Sequence, residues 1–197
     1  QAYNWAKMAL DHNLSAVKSD KKKAVIMDVD ETILDNSPFE VKCIETATGY
    51  STESWMNWTS NMSAKPLPGA LDFIRYAEKK GVDVFYISNR KVEELEVTMQ
   101  NMQQYDFPFM DTTHFLLKEE SSNKTARRDK VMENYEVILF IGDALTDFSD
   151  IYADRDESLC MDLVDQDEEL FVTKYIIIPN PMYGEWVKAV YKLSLFF

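Results

Sequence analysis

The sequence predicts an α/β domain, a Rossmann-like parallel sheet of about five strands flanked by helices. Three observations predict it. Short continuous apolar runs recur along the chain, as strands buried on both faces require. Segments with helical apolar spacing separate those runs. The runs end on polar residues, and open α/β sheets bind ligands outside the carboxyl ends of their strands.

Residues 1–18 place Ala2, Trp5, Ala6, Ala9 and Leu10 at helical spacing. Residues 19–23 read as a charged turn, in which Lys21, Lys22 and Lys23 are solvated and too few for a nucleic-acid patch. Residues 24–27 form the first buried run and end at Asp28. Residues 82–87 end at Ser88 and Asn89, and 114–117 end near Lys118. Residues 137–141 end at Gly142 and Asp143, and 175–178 end at Pro179 and Asn180. Helices are expected over 68–80, with Gly81 as the stop, and over 92–105, 125–134 and 183–195. Between the first strand and the helix at 68 lie roughly 35 residues, too many for a structureless loop in a compact domain. That stretch carries Trp55, Met56, Trp58 and Met62. The expectation is one catalytic domain over 1–197 with a small helical cap over 33–65.

The chain has 197 residues, with 21 Lys and Arg against 34 Asp and Glu, a formal net charge of −13. A 46% apolar and 13% aromatic composition excludes disorder, collagen and coiled-coil repeats. No apolar run reaches the ~18 residues of a membrane-spanning helix. The acidic balance argues against binding a nucleic-acid polymer, which needs a basic face. Cys43 and Cys160 permit at most one disulfide and match no metal motif; two small buried residues is the plain reading, and they do not fix the redox compartment. His12 and His114 show no ligand spacing. The chain opens at Gln1 in helix-like sequence, so a mature or trimmed chain without its targeting segment is expected.

Asp28 and Asp30, two residues apart just past a buried strand, can point into one crevice. Their repulsion raises one carboxyl unless a cation intervenes. Mg²⁺, a hard cation that takes a few carboxylates, waters and substrate phosphate, suits the pair, and Asp143 could add a ligand. An aspartate beside such an ion is a competent nucleophile at phosphorus. Its neighbour can protonate the leaving oxygen and later activate water. The bland alternative is an Asp cluster capping backbone amides. Ser88, Asn89 and a lysine near the third strand, Lys118 or Lys124, weigh against it.

In this order Asp28-Val29-Asp30-Glu31-Thr32, Ser88, a downstream lysine and Gly142-Asp143-Ala144-Leu145-Thr146-Asp147 resemble the four motifs of the haloacid dehalogenase superfamily of phosphotransferases. The longer string through Ile33-Leu34-Asp35-Asn36-Ser37, with Ile178-Pro179-Asn180-Pro181-Met182-Tyr183-Gly184-Glu185-Trp186, resembles the bacterial class C acid phosphatases of the lipoprotein 5′-nucleotidase type. The resemblance covers residues 1 to about 186. It implies Asp28 as nucleophile and Mg²⁺ ligand, and Asp30 as general acid/base lending its backbone carbonyl to the metal. Asp143 would be a further ligand, with Asp147 in support. Ser88, with Asn89 nearby, would contact the phosphoryl group. The family's Lys-x-x-Arg pattern falls on Lys124, with Lys118 as the runner-up.

Trp55, Trp58 and Tyr183 lie outside the expected strands and read either as core filling or as a stacking clamp for a nucleobase. The resemblance implies Trp55, ahead of Trp58, together with Tyr183; Asn36 could also line the site. The leading reading is therefore a Mg²⁺-dependent acid phosphatase acting on nucleoside monophosphates and aryl phosphates through an aspartyl-phosphate. A non-catalytic storage or binding protein on the same fold is a second reading; plant storage relatives lack the nucleophile, which is present here. A phosphatase for sugar phosphates or other metabolites is a third. The resemblance also implies a secreted or lipid-anchored bacterial protein. Relatives of this type are often homodimers, although the sequence leaves the oligomeric state open.

Overall fold

The computed structural model describes the backbone of residues 1–153 and 157–184 and the side chains of 1–153 and 161–184. Helix α1 (Ala2–Ala16) buries Tyr3, Ala6, Ala9, Leu10 and Asn13, which fall on one face at helical spacing. Strand β1 (Lys22–Met27) follows, so Lys22 and Lys23 open the strand and do not belong to the turn before it. Val25 and Met27 pack with Tyr3, Leu10, Phe73 and Ile74, while Ala24 and Ile26 pack with Phe85, Ile87, Val131 and Phe140. The two-residue alternation of a strand divides these side chains between two cores, one on each face.

Two very short strands, β2 (Leu34–Asp35) and β3 (Lys65–Pro66), pair antiparallel and bracket an insert of two helices, α2 (Ser37–Glu45) and α3 (Thr52–Ser60). Pro38 opens α2, where a missing N–H costs nothing. Ser51 and Ser54 cap α3 reciprocally. Phe39, Cys43 and Trp55 form a small apolar cluster of their own, with Phe39 and Trp55 edge to face at 5.3 Å. Cys43 is a buried free thiol, and the side chain of Cys160 lies outside the described residues.

The chain continues through α4 (Ala70–Lys79), β4 (Asp83–Lys91), a 3-10 turn (Val92–Glu94), α5 (Leu95–Gln103), β5 (Phe115–Lys118), α6 (Thr125–Asn134) and β6 (Tyr135–Gly142). Two helices the acidic composition had hidden, α7 (Glu157–Gln166) and α8 (Glu168–Thr173), precede β7 (Tyr175–Ile177). Leu163, Val164 and Phe171 recur at helical spacing and pack on the second core, which is the signal that the surrounding carboxylates masked. The helix expected over 183–195 falls mostly outside the described residues; Tyr183 and Gly184 lie in a bend.

The five-stranded sheet is parallel, in the order β5-β4-β1-β6-β7. The chain therefore leaves β1 toward β4 and β5 on one side and returns to β6 and β7 on the other. Strand order reverses at β1, and a crevice opens at the carboxyl ends of β1, β4 and β6. β4 runs on through Lys91, past the end expected at Ile87, with a register shift between Ile87 and Lys91. Ser88 and Arg90 thus share one buried side of the strand and Asn89 is exposed on the other.

At the end of β6, Gly142 has no room for a side chain. A Cβ there would lie 2.3 Å from Asp147 Oδ2, which accepts the Ala144 amide at 3.0 Å. Gly142→Ala should therefore displace the Asp147 carboxylate and destabilise the protein by about 1–3 kcal/mol, the usual penalty for overpacking. Thermal unfolding of the variant checks this, and an unchanged melting temperature would refute it.

Candidate active site

Three carboxylates converge at the carboxyl ends of β1 and β6. Asp28 directly follows β1, Asp143 follows β6, and Asp147 ends a 3-10 turn (Leu145–Asp147). Each offers an oxygen within 4.8 Å of the others, and Asp28 and Asp147 are buried. Asp28 is anchored at its backbone, whose N–H donates to the Ile141 carbonyl at 2.9 Å. Thr32 Oγ1 donates to Asp143 Oδ1 at 3.3 Å, and Asn180 Nδ2 donates to Asp143 Oδ2 at 2.8 Å.

One ammonium serves this cluster. Lys124, buried just before α6, donates to Asp28 and, at 2.6 Å, to Asp147 Oδ1. Burial opposes the lysine charge, but Asp147 and Asp28 outweigh it and hold the ammonium above its ordinary range. The carboxylates remain in excess. Burial first, then Asp147, pushes the Asp143 carboxyl up to about 6. Three carboxylates against one ammonium leave a local surplus of negative charge, the donor set of a hard divalent cation. The residues present fit such an ion. Lys118 ends β5 and does not line the crevice.

Asp30 is not part of this cluster; its side chain turns toward β4. Arg90 Nη2 donates to Asp30 Oδ1 at 2.7 Å, and Arg90 Nε lies 3.0 and 3.1 Å from the two oxygens. Ser88 Oγ donates to Asp30 Oδ2 at 3.4 Å and accepts the Arg90 amide at 3.0 Å. Asn36 Nδ2 donates to Asp30 Oδ1 at 2.9 Å. Burial works against the Arg90 charge, and the Asp30 carboxylate more than restores it. Sequence reasoning missed Arg90. Its signal was available: a charged residue two places beyond Ser88 on the same side of a strand.

Arg127, three residues beyond Lys124, was also left without a role. It donates to the Ser88 carbonyl at 2.5 Å and to Asn89 Oδ1 at 2.8 Å, tying α6 to the end of β4. Arg128 donates to the Thr146 carbonyl at 2.9 Å and so ties α6 to the turn that carries Asp147.

Above these groups opens a cleft of about 420 Å³. Asp28, Asp30, Asn89, Arg90, Lys124, Asp143 and Asp147 form its polar floor; Tyr50, Trp55 and Tyr183 give it aromatic walls. Trp55 lies with the Arg90 guanidinium 5.7 Å from its ring centre. Ser88 is fully buried beneath Asp30, and Asn89 faces the cleft. Trp58 does not line the cleft; its Nε1 donates to Asn36 Oδ1 at 2.8 Å. The Tyr183 hydroxyl donates to Glu31. Burial, then Asp30 and Glu31, pushes the Tyr183 phenol far up, so it stays a neutral donor. His114 pairs with Asp111 at 2.8 Å, away from the cleft.

Among curated proteins, the chain is 26% identical to vegetative storage protein 2 of Arabidopsis thaliana over 145 residues, 67% of this chain and 52% of that protein. It is 24% identical to the stem 31 kDa glycoprotein of Glycine max over 165 residues, 80% of this chain and 58% of that one. The chain thus spans about half the length of these curated relatives. Among solved structures, the class C acid phosphatase from Bacillus anthracis superposes with a TM-score of 0.90 at 38% identity, covering 98% of this chain and 80% of that one. The same class C acid phosphatase with tungstate bound gives a TM-score of 0.88, again at 38% identity, over 97% and 80% of the two chains. The family model described as HAD superfamily, subfamily IIIB (acid phosphatase) matches residues 1–186, so the chain belongs to that family.

Proposed function

We propose that this chain is a phosphomonoesterase that uses Mg²⁺, takes nucleoside monophosphates and aryl phosphates, and works through an aspartyl-phosphate. The observation that carries this reading is the surplus of carboxylate around Lys124 with Asp30 alongside but separately held. Phosphoryl transfer asks chiefly for positioning and for neutralising charge on the equatorial oxygens. Asp28, Asp143 and Asp147 would hold the Mg²⁺, which would supply Lewis-acid neutralisation of the phosphoryl charge.

The chain's own residues do the rest. An Asp28 oxygen attacks phosphorus as the ester oxygen departs. Asp30 gives its proton to that oxygen, then takes one from the water that cleaves the acyl phosphate. Arg90, Ser88 and Asn36 fix the plane of the Asp30 carboxyl. Lys124 and Asn89 meet the phosphoryl oxygens. Ser88, buried under Asp30, acts on the phosphate only through Asp30 in this arrangement. Trp55 and Tyr183 hold the aromatic part of the ester, and the insert of α2 and α3 serves as the cap that carries Trp55.

A second reading, storage without turnover, draws on the names of the plant relatives. The sites for nucleophile and acid are both occupied by aspartate here, which favours turnover. Asp28→Asn should lower release of inorganic phosphate from a chromogenic aryl phosphate by at least about 1,000-fold with the fold retained. Near-wild-type release would sink the mechanism, and no release by the wild type with Mg²⁺ would favour storage.

The proposed metal site has a pH signature. The Asp143 carboxyl moves from 3.8 to about 6 on folding, so the folded chain binds this proton more tightly. Its contribution to stability is present below the unfolded value and is lost as pH rises through about 6. A divalent cation competes with the proton. The rise in melting temperature produced by Mg²⁺ should therefore grow between about pH 5 and pH 7 and vanish with EDTA. A melting temperature indifferent to Mg²⁺ at both pH values would count against the site.

For the aromatic wall, Trp55→Ala should cut kcat/KM for a nucleoside monophosphate by about 5- to 150-fold, the equivalent of one base stack, and for a sugar phosphate by much less. Equal losses on both substrates would remove the clamp from the reading.

A further inference from the structure

Glu31 follows Asp30 directly, and the reaction described above gives it no part. Its backbone sits at φ 56°, in the left-handed region that favours glycine or asparagine. A strained glutamate at such a place points to a task for its side chain. That side chain is buried, and both carboxylate oxygens are engaged. Oε1 accepts the Asn36 amide at 2.8 Å. Oε2 accepts Asn36 Nδ2 at 3.2 Å and the Tyr183 hydroxyl. Asn36 in turn donates to Asp30 Oδ1 at 2.9 Å and accepts Trp58 Nε1 at 2.8 Å. One carboxylate thus joins the turn after β1, the start of α2, helix α3 and a tyrosine 152 residues further along the chain.

We propose that Glu31 is a positioning residue for the choice of leaving group: it sets the Tyr183 ring at the cleft wall and, through Asn36, keeps that wall in register with Asp30. This rests on the reading of Trp55 and Tyr183 as the surface that meets an aromatic ester. The Tyr183 hydroxyl is the handle. With the phenol donating into a fixed, buried acceptor, the ring cannot swing away from the cleft without losing that hydrogen bond. A glutamine replaces this carboxyl group only in part. In either orientation its Nε2 faces an Asn36 N–H, so the Asn36 link is broken and the Tyr183 hydroxyl is left to re-pair as an acceptor or to lose its partner.

Four proteins test this against phenyl phosphate and ethyl phosphate: Glu31→Gln, Tyr183→Phe, the double variant and Trp55→Ala. Glu31→Gln and Tyr183→Phe should each lower the phenyl-to-ethyl ratio of kcat/KM by about tenfold, the upper scale of one ordinary hydrogen bond. The double variant should fall no further than either single one, because both break the same link. An unchanged ratio in Glu31→Gln, equal losses on the two esters, or losses that multiply in the double variant would each overturn the proposal. Should Glu31→Gln fail to fold, Tyr183→Phe removes the same bond and keeps the ring, and its ratio decides alone. Trp55→Ala separates the two levels. A ratio untouched by Trp55→Ala refutes the aromatic wall, whereas a ratio that falls there and not in Glu31→Gln refutes only the role of Glu31.

Discussion

Among the described residues, three converging carboxylates, two of them paired to the one buried ammonium of Lys124, are the arrangement on which the rest of the site depends. Burying a charge is tolerated when it is paired and hydrogen-bonded, and a surplus is not. Lys124 reaches Asp28 across 96 residues of chain and Asp147 across 23, so the pairing exists only once β1, β6 and α6 are assembled. The neighbourhood is built to hold it. Gly142 leaves space for Asp147, the Ala144 amide fixes its second oxygen, and Arg128 binds the carbonyl of Thr146 next to it. What remains is a surplus of negative charge at the floor of the cleft, the donor chemistry that suits a small hard cation.

A second ion pair explains how two aspartates so close in sequence come to differ. Asp28 faces Lys124; Asp30 faces Arg90. Two carboxyl groups with separate partners take separate environments, and separate environments are how one site assigns separate roles. Arg90 also links chemistry to shape. It grips Asp30 on one side and lies against Trp55 on the other, so the plane of the proposed acid and the aromatic wall are held by one guanidinium. The insert of α2 and α3 is tied to the floor of the cleft at that contact and again through Asn36.

The acidic composition reads differently with these pairs in view. A net charge of −13 repels a polyanion at long range. For the proposed small phosphate ester the repulsion would be weak, because salt screens surface charge over about 8 Å while Lys124 and the proposed cation would act at contact. In the proposed reading the carboxylates of the cluster would make an anion site by holding a cation. The others include the surface of α7 and α8, whose apolar side chains reach the second core.

The parallel sheet and the placing of Asp28 and Asp143 at its edge were legible in the residues, because a strand buried on both faces and its polar end are local patterns of the chain, whereas Lys124 over Lys118 came from the family resemblance. The hidden parts were of two kinds. α7 and α8 were obscured because carboxylates outnumber the apolar residues that dock them, and burial is decided by what the helix packs against. Arg90, Arg127 and Glu31 were missed because their partners lie elsewhere: Asp30 is 60 residues from Arg90, Asn89 is 38 from Arg127, and Tyr183 is 152 from Glu31. Residue order alone determined which chemical groups end the strands. Only tertiary packing decided which of them meet, since a hydrogen bond selects its partner by distance and direction, and both are properties of the assembled fold.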